Sequence, residues 1–248
     1  MPASPLLVLA GLLAVSTPPL ASAGDDGARA SSAGETTGSG GAQASSAAER
    51  AAGEALAVAR RIQARYDLVQ DLSADFAQEM HLRAGGQVLR SRGRMYFARP
   101  GRMRWEYETP EVQTIVADGE HLWIHQPEDN QVLRAPLEQA FQSQTPVSFL
   151  FGLARIERDF IPRLLPPGAR GGVLLALEPR AEEGGALGEL VLEVDPATWD
   201  LRAATVVDPL GNRTEVRLIE PKRNRGVEDS RFVFERPPGT DLLEAPGR

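Results

Sequence analysis

The chain reads as a mainly β protein: one large, curved, antiparallel sheet of about 11–12 strands, with helices on its concave side. Three observations predict this. Short runs of alternating apolar and polar residues recur from about residue 73 to residue 235, and alternation of period two is the mark of a half-buried strand. Turn-forming pairs separate the runs, among them Gly85-Gly86, Pro100-Gly101, Asp118-Gly119, Asp129-Asn130, Gly184-Gly185, Asp195-Pro196 and Gly211-Asn212. These connections are too short for parallel crossovers. A single amphipathic helical stretch precedes the runs, and it needs a surface to lie on.

The elements follow in order. Residues 1–23 carry no charged side chain, and an apolar run from Leu6 to Val15 leads to Ala21-Ser22-Ala23. That is the form of an export signal with a small-residue cleavage site, and the run is too short to span a membrane. Residues 24–48 are rich in Gly, Ser and Ala, and are expected to be a disordered low-complexity linker. Residues 49–248 are then expected to form a single domain. A helix is predicted over 49–72, where Val58, Ile62, Tyr66 and Val69 recur at helical spacing while Arg60, Arg61 and Arg65 fall elsewhere on the wheel. Strands are predicted near 73–82, 87–98, 102–108, 112–117, 121–125 and 131–135. Others follow near 156–164, 172–179, 187–194, 201–208, 213–221 and 231–235. Between the two groups, the stretch around Phe149, Leu150 and Phe151 lacks alternation and reads as one or two short helices with an apolar cluster. A sheet of that size encloses more interior than its own side chains fill, so it wraps a core element or leaves a cavity.

The segment RGRMYFARPGRMRWEY, residues 92–107, shows the two faces most plainly. By strand parity Met95, Phe97 and Arg99 share one side, as do Met103, Trp105 and Tyr107, whereas Arg102, Arg104 and Glu106 point the other way. The apolar side wants to leave water, and Arg99 stands on it. Methionines on such a face suit a pocket that adapts to irregular contents, because the thioether is flexible and polarisable.

Composition removes several function classes. The formal net charge is −7 without any long basic run, which disfavours nucleic acid as a partner. The chain has no cysteine, so it has no disulfide, thiolate metal site, cysteine nucleophile or site for N-terminal lipidation of the bacterial lipoprotein type. His121 and His125 lie four apart in HLWIH, but on a strand that separation is about 13 Å, at about 3.3 Å per residue, too far for one metal. Glu106 and Glu108 share one face of a strand beside Arg104, as an exposed ion-paired ladder would, and the glycine pairs sit at turns rather than in a phosphate loop. No enzyme, metal or cofactor is expected.

Three stretches carry a resemblance to a known family. YFARPGRMRWEYETPEVQTIVADGEHLWIHQPEDNQV, VVDPLGNRTEVRLIEPKRN and RFVFERPPGTDLL, in that order, are similar to the signature of the periplasmic outer-membrane lipoprotein carriers, the LolA family. TPVSFLFG falls where that family carries lid helices. The resemblance covers about residues 50–245. It implies an open, incomplete antiparallel β-barrel with helices forming a lid over an apolar cavity. It also implies a role: a periplasmic carrier takes acylated lipoproteins from an ABC transporter in the inner membrane and passes them to an outer-membrane acceptor. On this reading Arg99 is the lid latch and Trp105 the inward tryptophan, while Met103 stands where the family usually has phenylalanine. Met95, Phe97, Met103, Trp105, Tyr107, Phe149, Leu150 and Phe151 are then expected to line the acyl-binding cavity, and the protein to be a monomer. Two alternatives share the fold: a carrier of other lipids or glycolipids, and a lipid-sensing regulatory module. The sensor reading expects a further domain after the sheet. The outer-membrane acceptor, itself a lipoprotein, is set aside by the missing cysteine.

Overall fold

In the computed structural model, which describes residues 40–140, 155–180 and 188–245, twelve strands join in one sheet. They are β1 (Asp71–His81), β2 (Val88–Ala98), β3 (Arg102–Thr109), β4 (Gln113–Ala117), β5 (His121–Gln126) and β6 (Gln131–Pro136). The others are β7 (Phe160–Leu165), β8 (Val173–Pro179), β9 (Glu189–Val194), β10 (Leu201–Val207), β11 (Arg213–Arg223) and β12 (Asp241–Glu244). The spatial order is β12-β6-β5-β4-β3-β2-β1-β11-β10-β9-β8-β7, so the sheet does not close on itself and has β12 and β7 as its edges. The α-helices among the described residues are α1 (Gly40–Asp67), α2 (Leu137–Ala140) and α3 (Ile156–Asp159). The expected incomplete barrel is therefore the observed architecture, antiparallel in all but one of the described strand pairs.

Parity divides the sheet as the alternation predicts. On β3, Met103, Trp105 and Tyr107 are buried while Arg102, Arg104 and Glu106 remain partly exposed. Among the described residues the apolar interior is in two clusters. One gathers inward residues of β1 to β5, including Phe76, Met95, Phe97, Trp105, Tyr107, Ile115 and Ile124. The other gathers Phe160, Leu175, Leu177, Leu190, Leu192 and Leu201 from β7 to β10. Helix α1 lies on this second cluster through Ala55, Ala59, Ile62 and Tyr66, an apolar stripe at helical spacing. Its arginines hold the rim: Arg65 donates to Asp200 at 2.7 Å, and Arg61 stacks over Trp199 at 5.2 Å.

Local chemistry accounts for the turns. Asp118 accepts from the Glu120 and His121 backbone N–H groups at 2.8 and 2.7 Å, and from Trp123 Nε1 at 2.8 Å. Burial pushes its pKa up, but these three donors outweigh it and leave the carboxyl more acidic than usual. At Gly93 the backbone of β3 comes so close that a Cβ would lie 1.9 Å from the Glu106 carbonyl oxygen. The β2–β3 register shifts at the same place. Gly93→Ala must push the strands apart, and we expect a loss of about 2–4 kcal/mol. Urea unfolding would show a lower midpoint at unchanged slope.

Four expectations need correction. Helix α1 begins at Gly40, not Glu49, because the alanine-rich end of the supposed linker favours helix; it stops at Asp67, so Val69 lies in the link to β1 while remaining buried. Residues Ile156–Asp159 form a helical turn rather than strand, closed by the Arg155 N–H donating to Asp159 Oδ2 at 2.7 Å. The segment 231–235 is not a strand. It passes through a short 3-10 turn, Asp229–Phe232, and runs over the outer face, with no strand neighbour among the described residues. The closing strand is β12 instead, and it pairs with β6 in parallel, the one exception to the antiparallel pattern among the described strands. The long chain between β6 and β12 removes the short-connection argument there.

The outward arginines explain that outer segment. Arg102 donates to Asp229 at 2.7 Å and stacks over Phe232 at 5.1 Å. Arg231 lies over Tyr96 at 4.9 Å, and Phe234 stacks on Trp123 at 5.3 Å. Guanidinium groups on the convex face thus bind the C-terminal segment down across β2 to β5, with Trp123 beneath it and outside the interior.

Candidate functional site

The inward row runs through neighbouring strands in register. Met95 pairs with Trp105 and Phe97 with Met103 across β2 and β3, while Trp105 faces Ile115 on β4. Gly93 pairs with Tyr107, so the missing side chain leaves room for rings from the next strand. Phe76 of β1 fills it: its ring centroid is 4.8 Å from that of Trp105 and 5.0 Å from that of Tyr107, both tilted or edge-on.

Five of the residues expected to line an acyl cavity, Met95, Phe97, Met103, Trp105 and Tyr107, are therefore together, each only 2 to 4% exposed. The row is closed rather than open. Leu137 of α2 and Leu133 of β6 pack against its edge. The physical reason is plain: an uncovered aromatic face of this size in water would be costly, so it packs against itself and against what lies over it. Phe149, Leu150 and Phe151 lie outside the described residues. The described hollows are elsewhere. A groove of about 360 Å³ opens between β2, β1 and β11 beside Asp75, Arg94, Tyr96 and Lys222, and a much smaller crevice lies at the end of α1 between Tyr66, Leu72, Leu201 and Leu218.

Arg99 stands just past the end of β2 and reaches the C-terminal end of α1. Its Nε donates to the Val69 carbonyl at 2.8 Å and its Nη2 to the Tyr66 carbonyl at 3.0 Å. A helix ends with carbonyls that lack intrahelical partners and with partial negative charge, so a guanidinium is suited to it twice over. The acceptors belong to the amphipathic N-terminal helix; the segment expected to supply lid helices is not among the described residues. Asn224 supports the same turn from the other side. Its Oδ1 accepts from the Gln70 N–H at 2.8 Å, and its Nδ2 donates to the Leu68 carbonyl at 3.0 Å. Sequence reasoning missed Asn224, although a lone Asn after a strand is a known candidate for the left-handed backbone it adopts here, with φ of 53°.

One polar pair sits within the row and was also missed. Tyr107 Oη donates to Gln78 Oε1 at 3.0 Å, and both residues are buried. Burial holds the Tyr107 phenol well above its ordinary pKa, so it remains a neutral donor. The signal was an amide at an inward position of β1, between Phe76 and Met80.

Among the described residues no group of three or more His, Asp or Glu side chains is placed to hold a metal ion. No described helix is long and apolar enough to cross a membrane.

Comparison with known proteins points to one family. Residues 67–235 match the family described as outer membrane lipoprotein carrier protein LolA. The chain is similar to the outer-membrane lipoprotein carrier protein of Leptothrix cholodnii, with 37% identity over 191 residues, 76% of this chain and 87% of the relative. It is similar to that of Dechloromonas aromatica at 32% over 192 residues, 76% of this chain and 89% of the relative. Among solved structures, it is similar to an uncharacterized conserved protein from Thermus thermophilus, with 16% identity and a TM-score of 0.49, covering 75% of this chain and 99% of that one.

Proposed function

The chain belongs to the outer-membrane lipoprotein carrier family LolA, a family of carriers rather than enzymes, and on that premise we propose that it carries acylated lipoproteins through the periplasm. The signal-like residues 1–23 direct export, and the domain beyond the linker receives the cargo's acyl chains on the inward row. An ABC transporter of the inner membrane releases the lipoprotein to it, and an outer-membrane acceptor takes it over.

The observation that carries the reading is the closed aromatic and thioether row Met95, Phe97, Met103, Trp105 and Tyr107, in register on adjacent strands of an unclosed sheet. Burying acyl methylenes contributes about 0.8 kcal/mol each, so a lipoprotein with several long chains does not leave a membrane without an apolar host. The host must also release it. A row that packs against itself when empty meets both demands: the chains replace side-chain contacts already made, so net affinity stays moderate. Arg99 is the latch. It fixes the turn after α1 by two hydrogen bonds, and such bonds can be broken and remade as the covering elements shift.

The test is binding of a fluorescent diacylated peptide to the mature protein, against the same peptide without acyl chains. Capture of the acylated form alone is expected, with phospholipid vesicles competing poorly. Equal binding of both peptides would sink the proposal, and strong competition by phospholipid would make it a general lipid carrier.

A further inference from the structure

The concave face is not uniformly apolar. At the end away from Arg99, where the β1–β2, β3–β4 and β10–β11 turns gather, four inward side chains are polar and buried: Gln78, Ser91, Gln113 and Thr214. Register places two of them opposite each other and the others opposite inward residues of the same end. Gln78 of β1 is opposite Ser91 of β2, Gln113 of β4 is opposite Tyr107 of β3, and Thr214 of β11 is opposite Met80 of β1. In the middle stands the Tyr107–Gln78 hydrogen bond, which uses the amide oxygen. The amide nitrogen of Gln78 is buried and has no hydrogen-bond partner, although the residue is only 2% exposed.

An orphaned buried donor destabilises the empty protein, and a methionine would fill the same volume without that cost. We infer that Gln78, oriented by Tyr107, is a seat for the carbonyl oxygen of an acyl ester or amide, so that this belt receives the point where a fatty chain joins its head group. The inference rests on the acyl-carrier reading and deepens it. The chemistry selects the ligand group. Phe76, Met80, Ser91, Tyr107 and Val216, the residues beside or opposite Gln78 or bonded to it, are all uncharged. A phosphate or carboxylate brought here would be buried without a counter-charge, whereas a neutral carbonyl needs only the donor on offer. Tyr107 holds the amide oxygen, which turns the nitrogen away from it and toward the ligand. The arrangement also sets a direction. With the carbonyl at the belt, the hydrocarbon runs past Phe76 and Trp105 toward Arg99, and the cargo's polypeptide emerges beside the β1–β2, β3–β4 and β10–β11 turns.

The experiment compares two fluorescent peptides, one bearing dipalmitoylglycerol through ester links and one bearing the dihexadecyl ether counterpart. The wild-type protein should prefer the ester about tenfold, the range expected of one hydrogen bond to a buried carbonyl. Gln78→Met should bring that ratio close to one. A second measurement needs no variant: the isotope-labelled ester C=O stretch should fall in frequency when the probe binds the wild-type protein, relative to the same probe in alkane. Equal affinity for both probes, or an unshifted carbonyl band, overturns the seat while leaving the carrier intact. Failure to bind either probe overturns the carrier reading and the seat with it.

Discussion

Trp105→Ala should destabilise the protein by about 3–5 kcal/mol and lower its melting temperature by roughly 6–20 °C. Trp105 is the centre of the inward row: it stacks 6.3 Å from Tyr107, meets Phe76 at 4.8 Å and lies between Met95 and Ile115 on the flanking strands. Removing the indole takes away its own burial and leaves a void that neighbouring strands cannot close without breaking their register. Domain stabilities are only about 5–15 kcal/mol, so the loss is a large share of the whole. A void lined by apolar side chains stays dry and accepts apolar guests. Diacylated peptide should therefore raise the melting temperature of the variant more than that of the wild-type protein. Calorimetry with and without the peptide checks both halves. A cost under about 1 kcal/mol would mean that the row is not the packed centre described here, and no selective rescue would separate the row from cargo binding.

Arg99→Leu should cost about 1–3 kcal/mol, with its larger effect on cargo handling. Hydrogen bonds from a charged donor are among the stronger ones, but Arg99 is only half-buried and water competes for its partners. The loss is uneven. The Tyr66 carbonyl keeps the Val69 N–H as a donor at 3.0 Å, so the Val69 carbonyl is the group deprived of its side-chain partner. Amide exchange across residues 66–72 should quicken while β3 to β5 stay protected. In a transfer assay from carrier to vesicles or acceptor, the variant should take up or release lipoprotein at an altered rate. Arg99→Lys should rescue only in part, because an ammonium does not reproduce the guanidinium fork that spans two carbonyls. Wild-type transfer by Arg99→Leu would remove the residue from the mechanism and leave it a helix cap.

Much of this molecule is legible in its amino-acid sequence. Strand parity alone placed Met95, Phe97, Met103, Trp105 and Tyr107 on one face and Arg102, Arg104 and Glu106 on the other, because side-chain direction along a strand is a local property of the backbone. Turn chemistry set most strand boundaries to within two residues for the same reason. What parity could not supply is which strand lies beside which. The segment at 231–235 alternates like a strand but pairs with none of the described strands, since Phe232 and Phe234 are held by the rings and guanidinium groups of the outer face. Leu242 and Leu243, in a run too short to signal a strand, find one in β6.

Local pattern, then, determined the two-faced sheet, its turns and its apolar row. Only the tertiary structure decided that the row is closed, that Arg99 reaches the carbonyls of Tyr66 and Val69, and that Gln78 meets Tyr107 with its amide nitrogen left over. Those are contacts between residues about thirty positions apart. They depend on strand register and on where a helix ends, and hydrogen bonds of this kind are set by tenths of an ångström that periodicity does not encode.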